Sequence, residues 1–111
     1  MEHYSIVIES EGGVTLLRVG FGKPAQNNQI VAEVDAFMRS PSANTIPGGA
    51  LCLVNGPASL PVAFILAHHL IHRFCEVAIF DPKTTSYVIV SSHGGRAVGD
   101  TITAGSDGYP L

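Results

Sequence analysis

Four of the five histidines of this 111-residue chain fall between positions 68 and 93, in a stretch that also holds Asp81 and Lys83. His68 and His72 are four apart, so a helix would stack them on one face at a spacing that suits a metal ion. No HExxH accompanies them, which removes zinc-protease chemistry. Near a helix C-terminus an imidazolium is also stabilised by the helix dipole alone and needs no further role. Asp81 ends an apolar run and precedes Pro82, so it is either a turn former or a catalytic carboxylate. His93 closes a second apolar run within Ser91-Ser92-His93-Gly94-Gly95 and could reach the edge occupied by Asp81 across a hairpin. One carboxylate, two imidazoles and a lysine make a workable set for a phosphodiester. The carboxylate can hold a hard divalent cation, imidazole can move a proton, and Lys83 can balance charge on the transition state. Neither GxSxG nor GxxxxGK[ST] occurs, so serine-hydrolase and P-loop chemistry have no support.

These groups need elements to hold them. Residues 50–54 (ALCLV) are wholly apolar, the pattern of a central parallel strand, and run into Asn55-Gly56-Pro57. Ser59 is placed to cap a helix over 60–73, with Pro61 tolerated in its first turn and Val62, Ala63, Leu66 and Leu70 on its buried face. Residues 76–80 (EVAIF) read as the next strand, and a strand-helix-strand run of this length implies a parallel crossover. A turn over 81–85 leads to an antiparallel strand over 87–91. Ligands of open α/β sheets sit beyond the carboxyl ends of parallel strands, near helix N-termini. Asn55, Gly56 and Pro57 stand at such a place, where Gly56 would let a phosphate or ribose approach the backbone. The same tripeptide also reads as a simple turn.

The remaining chain is scaffold. Residues 4–8 and 14–19 form an antiparallel hairpin around Gly12-Gly13, and Gly20-Phe21-Gly22 breaks its second strand. Asn27-Asn28 could cap a short helix over 29–38. Residues 39–49 (RSPSANTIPGG) read as a surface loop, either a tolerated insertion or a flap over a ligand. A short strand over 99–103 precedes a frayed tail, 104–111, which could equally be where a longer protein was cut. The expected fold is a single small α/β domain over 1–111, a mixed sheet with a Rossmann-like β-α-β crossover and antiparallel hairpins.

Composition limits the partners. The net charge is −3, so no overall basic field draws long or double-stranded nucleic acid. A hydrophobic share of 46% against 14% charged suggests an oligomer that hides part of its surface, or strands buried on both faces. Cys52 and Cys75 form no CxxC and read as buried thiols of a reducing, cytoplasmic compartment. No segment approaches the roughly 18 apolar residues of a membrane span.

Taken in order, GP, LAHHLIH, EVAIFDPK, YVIVSSHG and GDTI resemble the small stand-alone CRISPR-associated ring nucleases of type III systems. The resemblance covers residues 51–102, about half the chain; the N-terminal half matches only in strand pattern. It implies a manganese-dependent enzyme that linearises cyclic tetra-adenylate and so switches off type III signalling, with activity also on the 3′ ends of short RNA. It implies catalytic roles for His72, Asp81 and His93, metal contacts from Asp81 and His72, and substrate contacts from Asn55, Gly56, Pro57, Lys83 and Ser92. Homodimers that grip the ligand between two dimers are implied as well. Lys83 stands where the family has Arg in its DPR motif, which keeps the charge but loses bidentate phosphate recognition. Thr84-Thr85 depart from the family's Leu-Gly turn, and the spacing from GP to AH is slightly longer. The alternative is a cyclic-oligoadenylate sensor module without catalysis, of the kind that fused relatives join to a kinase-like domain. Attack by water and attack by a ribose 2′-hydroxyl both remain open.

Overall fold

The structure, a computed structural model, describes residues 1–105 and 109–110. Among the described residues six strands form one sheet in sequential order: β1 (Tyr4–Glu11), β2 (Val14–Phe21), β3 (Gly49–Asn55), β4 (Phe74–Asp81), β5 (Ser86–Ser92) and β6 (Thr101–Thr103). β1 and β2 form the expected hairpin, β2, β3 and β4 run parallel, and β5 and β6 return antiparallel. The fold is therefore α/β with a mixed sheet. Helix α1 (Asn27–Arg39) joins β2 to β3, and α2 (Leu60–Leu70) joins β3 to β4. The two helices pack on each other, so both crossovers lie on one face of the sheet. None of the described helices is long and apolar enough to cross a membrane.

Alternation along β3 explains the two cores. Cys52 and Val54 point to the helices and pack with Leu17, Val34, Val62, Leu66 and Leu70. Leu51 and Leu53 point to the opposite face and pack with Leu16, Tyr87, Ile89 and Ile102. A central strand buried on both faces is why its sequence is apolar without interruption.

Several expectations need correction. β2 continues through Gly20 to Phe21, because it pairs with β1 along its whole length. The loop over 39–49 contains a 3-10 helix, Pro41–Thr45, whose Ala43 is fully buried, and Arg73 donates to the carbonyls of Ala43 and Met38. Held in this way, the segment is a packed connection and not a flap. Cys75 is exposed, while Cys52 is buried. In the tail, Ala104 is buried and Tyr109 packs beside it; residues 106–108 and 111 lie outside the described residues.

Candidate functional site

Strand direction decides where the candidate residues stand. β3 and β4 run parallel, so Asn55 and Asp81 end at the same edge of the sheet, which we call the upper edge. α2 runs back down from there and delivers His72 to the lower edge, two residues before β4 begins. β5 is antiparallel to β4, so it carries Ser92 and His93 down to that same lower edge. The His93 N–H donates to the Cys75 carbonyl at 2.7 Å. From Cys75 to Asp81 is six residues of strand, roughly 20 Å. His93 therefore does not reach Asp81. The structure brings Asn55, Gly56, Pro57, Asp81 and Lys83 to the upper edge, and His72, Ser92 and His93 to the lower.

The upper edge is built by short-range chemistry. Asp81 Oδ1 accepts the Lys83 N–H at 3.0 Å and its Oδ2 accepts the Thr84 hydroxyl at 3.1 Å. The Asp-Pro turn closes on its own side chain, as an aspartate-led turn should. Thr85 completes it with φ of 51°. Asn55 donates from Nδ2 to the hydroxyl oxygen of buried Tyr87 at 3.2 Å, which fixes its side chain on the face away from the helices. Gly56 has φ of 136°, and a Cβ there would sit 1.8 Å from the Val19 carbonyl oxygen. Glycine is required because β2 presses against this turn on the side where a Cβ would stand, while the Gly56 backbone itself is exposed. Pro57 is held from below, its carbonyl accepting the Tyr4 hydroxyl at 2.7 Å. Burial pushes the Tyr4 phenol up to about 12, so it remains a donor.

The N-terminus of α2 is a weaker anion site than expected. Ser59 accepts the Val62 N–H with its side chain and the Ala63 N–H with its carbonyl, and Pro61 has no N–H. Among the described residues this leaves the Ser59 and Leu60 N–H groups for an incoming oxygen.

The lower edge carries the imidazoles. His68 and His72 are exposed, with rings edge-on and centroids 5.5 Å apart. His69 differs from both, its Nε2 lying 2.7 Å from Asp35 Oδ1 and tying α2 to α1. That bond, with a second from Arg39, holds the Asp35 carboxyl below the usual range. Beneath His93 lies Glu76, 6% exposed. Its Oε2 accepts the Arg96 N–H at 2.8 Å and the Ser92 hydroxyl at 3.3 Å, and its Oε1 accepts the Arg96 guanidinium at 2.9 Å. Burial pushes the Glu76 carboxyl up, but these donors outweigh it and hold it below the ordinary value. The single Ser92 O–H proton is shared between Glu76 and the nearer Arg96 carbonyl at 2.5 Å, and its oxygen accepts the Gly94 N–H, so the hydroxyl serves the turn that carries His93. Sequence reasoning missed Glu76 and Tyr4 as positioning groups. A lone acid inside an apolar strand was the available signal for Glu76; for Tyr4 there was none.

His72 and Asp81 are the metal pair expected from the sequence. They stand at opposite ends of β4, and both Asp81 oxygens are engaged within their own turn, so one chain does not offer them to one ion. Among the described residues no three His, Cys, Asp or Glu side chains converge to hold one. No protein-family model matches the chain, and no curated protein matches it.

Proposed function

We propose that this chain is the subunit of a phosphodiesterase that opens a cyclic oligonucleotide, and that its site is complete only between copies. The observation that carries the reading is the separation of the candidate set. Asp81, Lys83 and Asn55 occupy one edge and His72 and His93 the other. Two copies meeting upper edge to lower edge would face a carboxylate and an ammonium with two imidazoles across the ligand. Cyclic tetra-adenylate is the substrate class that the resemblance names, with the 3′ ends of short RNA as a lesser one. A flat ring held between two protein surfaces suits a site divided in this way.

In the reaction an attacking hydroxyl forms a new P–O bond as another breaks: a ribose 2′-hydroxyl expels the 5′ oxygen, and water expels either the 5′ or the 3′ oxygen. One imidazole accepts the proton of the attacking hydroxyl, and the departing oxygen takes a proton from an acid on the opposite side. Lys83 offsets the negative charge that grows on the phosphoryl oxygens. The resemblance also names Mn²⁺, and the cytoplasmic setting is the default reading of the sequence, from its cysteines and the lack of a membrane-length apolar segment. With His72 and Asp81 apart in one chain, no step is assigned to the ion.

The test is cleavage of cyclic tetra-adenylate in Mn²⁺ or in EDTA, comparing wild type with Asp81→Ala. Linear product that depends on Asp81 supports the enzyme. Tight binding without cleavage would leave the sensor module instead, and neither binding nor cleavage would end the reading.

A further inference from the structure

Arg18, Lys23, Arg39 and Arg96 each sit in an ion pair with a carboxylate, and Lys83 belongs to the upper edge described above. Arg73, the remaining cation of the six, is different. Among the described residues it has no carboxylate partner. Its side chain donates only to two carbonyl oxygens, from Nη1 to Ala43 at 3.0 Å and from Nη2 to Met38 at 2.7 Å. A guanidinium carries five N–H donors in one plane, so three remain, together with a full charge that two carbonyl dipoles only partly offset. The same two bonds fix the orientation of the group, and an incoming anion would meet a fork already set. Beside Arg73 lies an open hollow of about 530 Å³, lined by Asn44, Ile46, Pro47, Gly48 and Arg73 itself. No acid is among these residues. Asn44 is exposed, and neither its side-chain amide nor the Gly48 N–H has a partner among the described residues.

We propose that this hollow binds a nucleotide by its free phosphate end, a phosphate monoester held on Arg73. Arginine recognises phosphate through several N–H groups at once, and here the charge has no competing carboxylate. Size points beyond a bare phosphate. One water takes up about 30 Å³, so an ion the size of a few waters would leave most of the hollow unfilled. The volume falls instead within the roughly 300–1,000 Å³ usual for small-molecule sites. Asn44 offers an amide donor and acceptor side by side, the pattern that pairs with an adenine edge. Pro47 is exposed and supplies an apolar surface for a sugar or a base. The hollow lies at the lower edge, between the 3-10 helix Pro41–Thr45 and the residue that follows His72. A cyclic oligonucleotide contains only diesters and has no such end. This site is therefore separate from the divided one proposed above, and binding to it does not depend on the catalytic reading.

Titration of the ¹⁵N-labelled protein with AMP in a phosphate-free buffer, followed by NMR, tests it without reference to activity. Saturable shifts are expected at the amides of Asn44, Gly48 and Arg73, with a Kd below about 1 mM. Adenosine lacks the phosphate and inorganic phosphate lacks the base, so each should bind at least about tenfold more weakly. Asn44→Asp adds a negative charge to the exposed rim and leaves the carbonyl contacts of Arg73 in place. It should raise the Kd for AMP about tenfold, the effect of one charge a few ångström from a phosphate dianion, at an unchanged Tm. Arg73→Lys keeps the charge but loses the fork and should weaken AMP by a similar factor. Val7→Glu makes the same change of net charge at an exposed site on β1 and should leave the Kd unchanged. AMP that leaves those three amides unmoved overturns the proposal, and so does an affinity that survives both the Asn44 and the Arg73 substitutions. Adenosine or inorganic phosphate binding as tightly as AMP overturns the nucleotide assignment.

Discussion

The backbone N–H of His93 donates to the carbonyl oxygen of Cys75 at 2.7 Å, which ties the imidazole-bearing turn to the start of β4 while Asp81 stands at its end. One rigid strand thus sets the distance between the carboxylate and the imidazoles. Side-chain rotation cannot bridge roughly 20 Å. Any chemistry that uses both ends of β4 has to bring two molecules together.

Gly56 is the tightest point of the upper edge. Gly56→Ala places a methyl group 1.8 Å from the Val19 carbonyl oxygen at a φ that L side chains rarely adopt. The expected cost is at least about 3 kcal/mol, enough to unfold much of a marginal domain. Gly49→Ala shares a positive φ but meets nothing within 4 Å, so it should cost only the strain, about 1–2 kcal/mol. Urea unfolding of the pair checks the ordering, and equal costs would contradict the crowding at Val19.

Tyr4→Phe removes the hydroxyl that holds the Pro57 carbonyl and should cost about 1 kcal/mol, or several degrees in Tm. The same substitution predicts an alkaline effect. Burial raises the Tyr4 phenol and the Cys52 thiol, each to about 12. Their contributions are fully present below the unfolded values and are lost as pH rises towards 12. Tm should therefore fall from about pH 9 upward, and less steeply in Tyr4→Phe. An unchanged slope would remove Tyr4 from that account.

Three carboxylates act in the opposite direction. Burial pushes Glu33 up, yet the N–H groups of Glu2, His3 and Tyr4 bring it below its ordinary value. Asp35 and Glu76 are held low by the partners already described. Groups with depressed folded values contribute stability that is present above the unfolded value, about 4, and is lost as pH falls through the folded one. Tm should hold from pH 7 to about pH 5 and drop below pH 4. Glu76→Gln keeps the shape but loses the charge, so it should lower Tm at pH 7 and flatten the acid limb. Glu76→Ala also removes the acceptor of the Arg96 N–H and guanidinium, leaving Arg96 with Tyr109, and should cost about 1–3 kcal/mol.

Most of the fold was legible because its signals are local. The uninterrupted apolar run at β3, the Ser59 cap and Pro61 at the head of α2, and alternation in β1 and β2 each dictate their element within a few residues. The hidden part depends on contacts far apart in sequence. Ala43 is buried because Arg73 reaches across to its carbonyl, and the loop around it gives no local sign of that. The candidate residues were legible one at a time. Their separation was already implied by the parallel crossover and antiparallel hairpin read from the sequence, although His93 was expected to reach Asp81. That separation follows from α2 running antiparallel to the strands, which sends His72 to one edge while β4 carries Asp81 to the other. Asp81 itself fits both readings offered by its Asp-Pro sequence, since the turn uses its oxygens and leaves it at a sheet edge.

The most direct test of a site shared between copies is complementation of cyclic tetra-adenylate cleavage. Asp81→Ala and His93→Ala should each be inactive alone. Mixed in equal amounts, one pairing in four joins an intact Asp81 to an intact His93, so about a quarter of wild-type activity should return. Two variants that stay inactive together, beside a wild type that cleaves, would contradict the account.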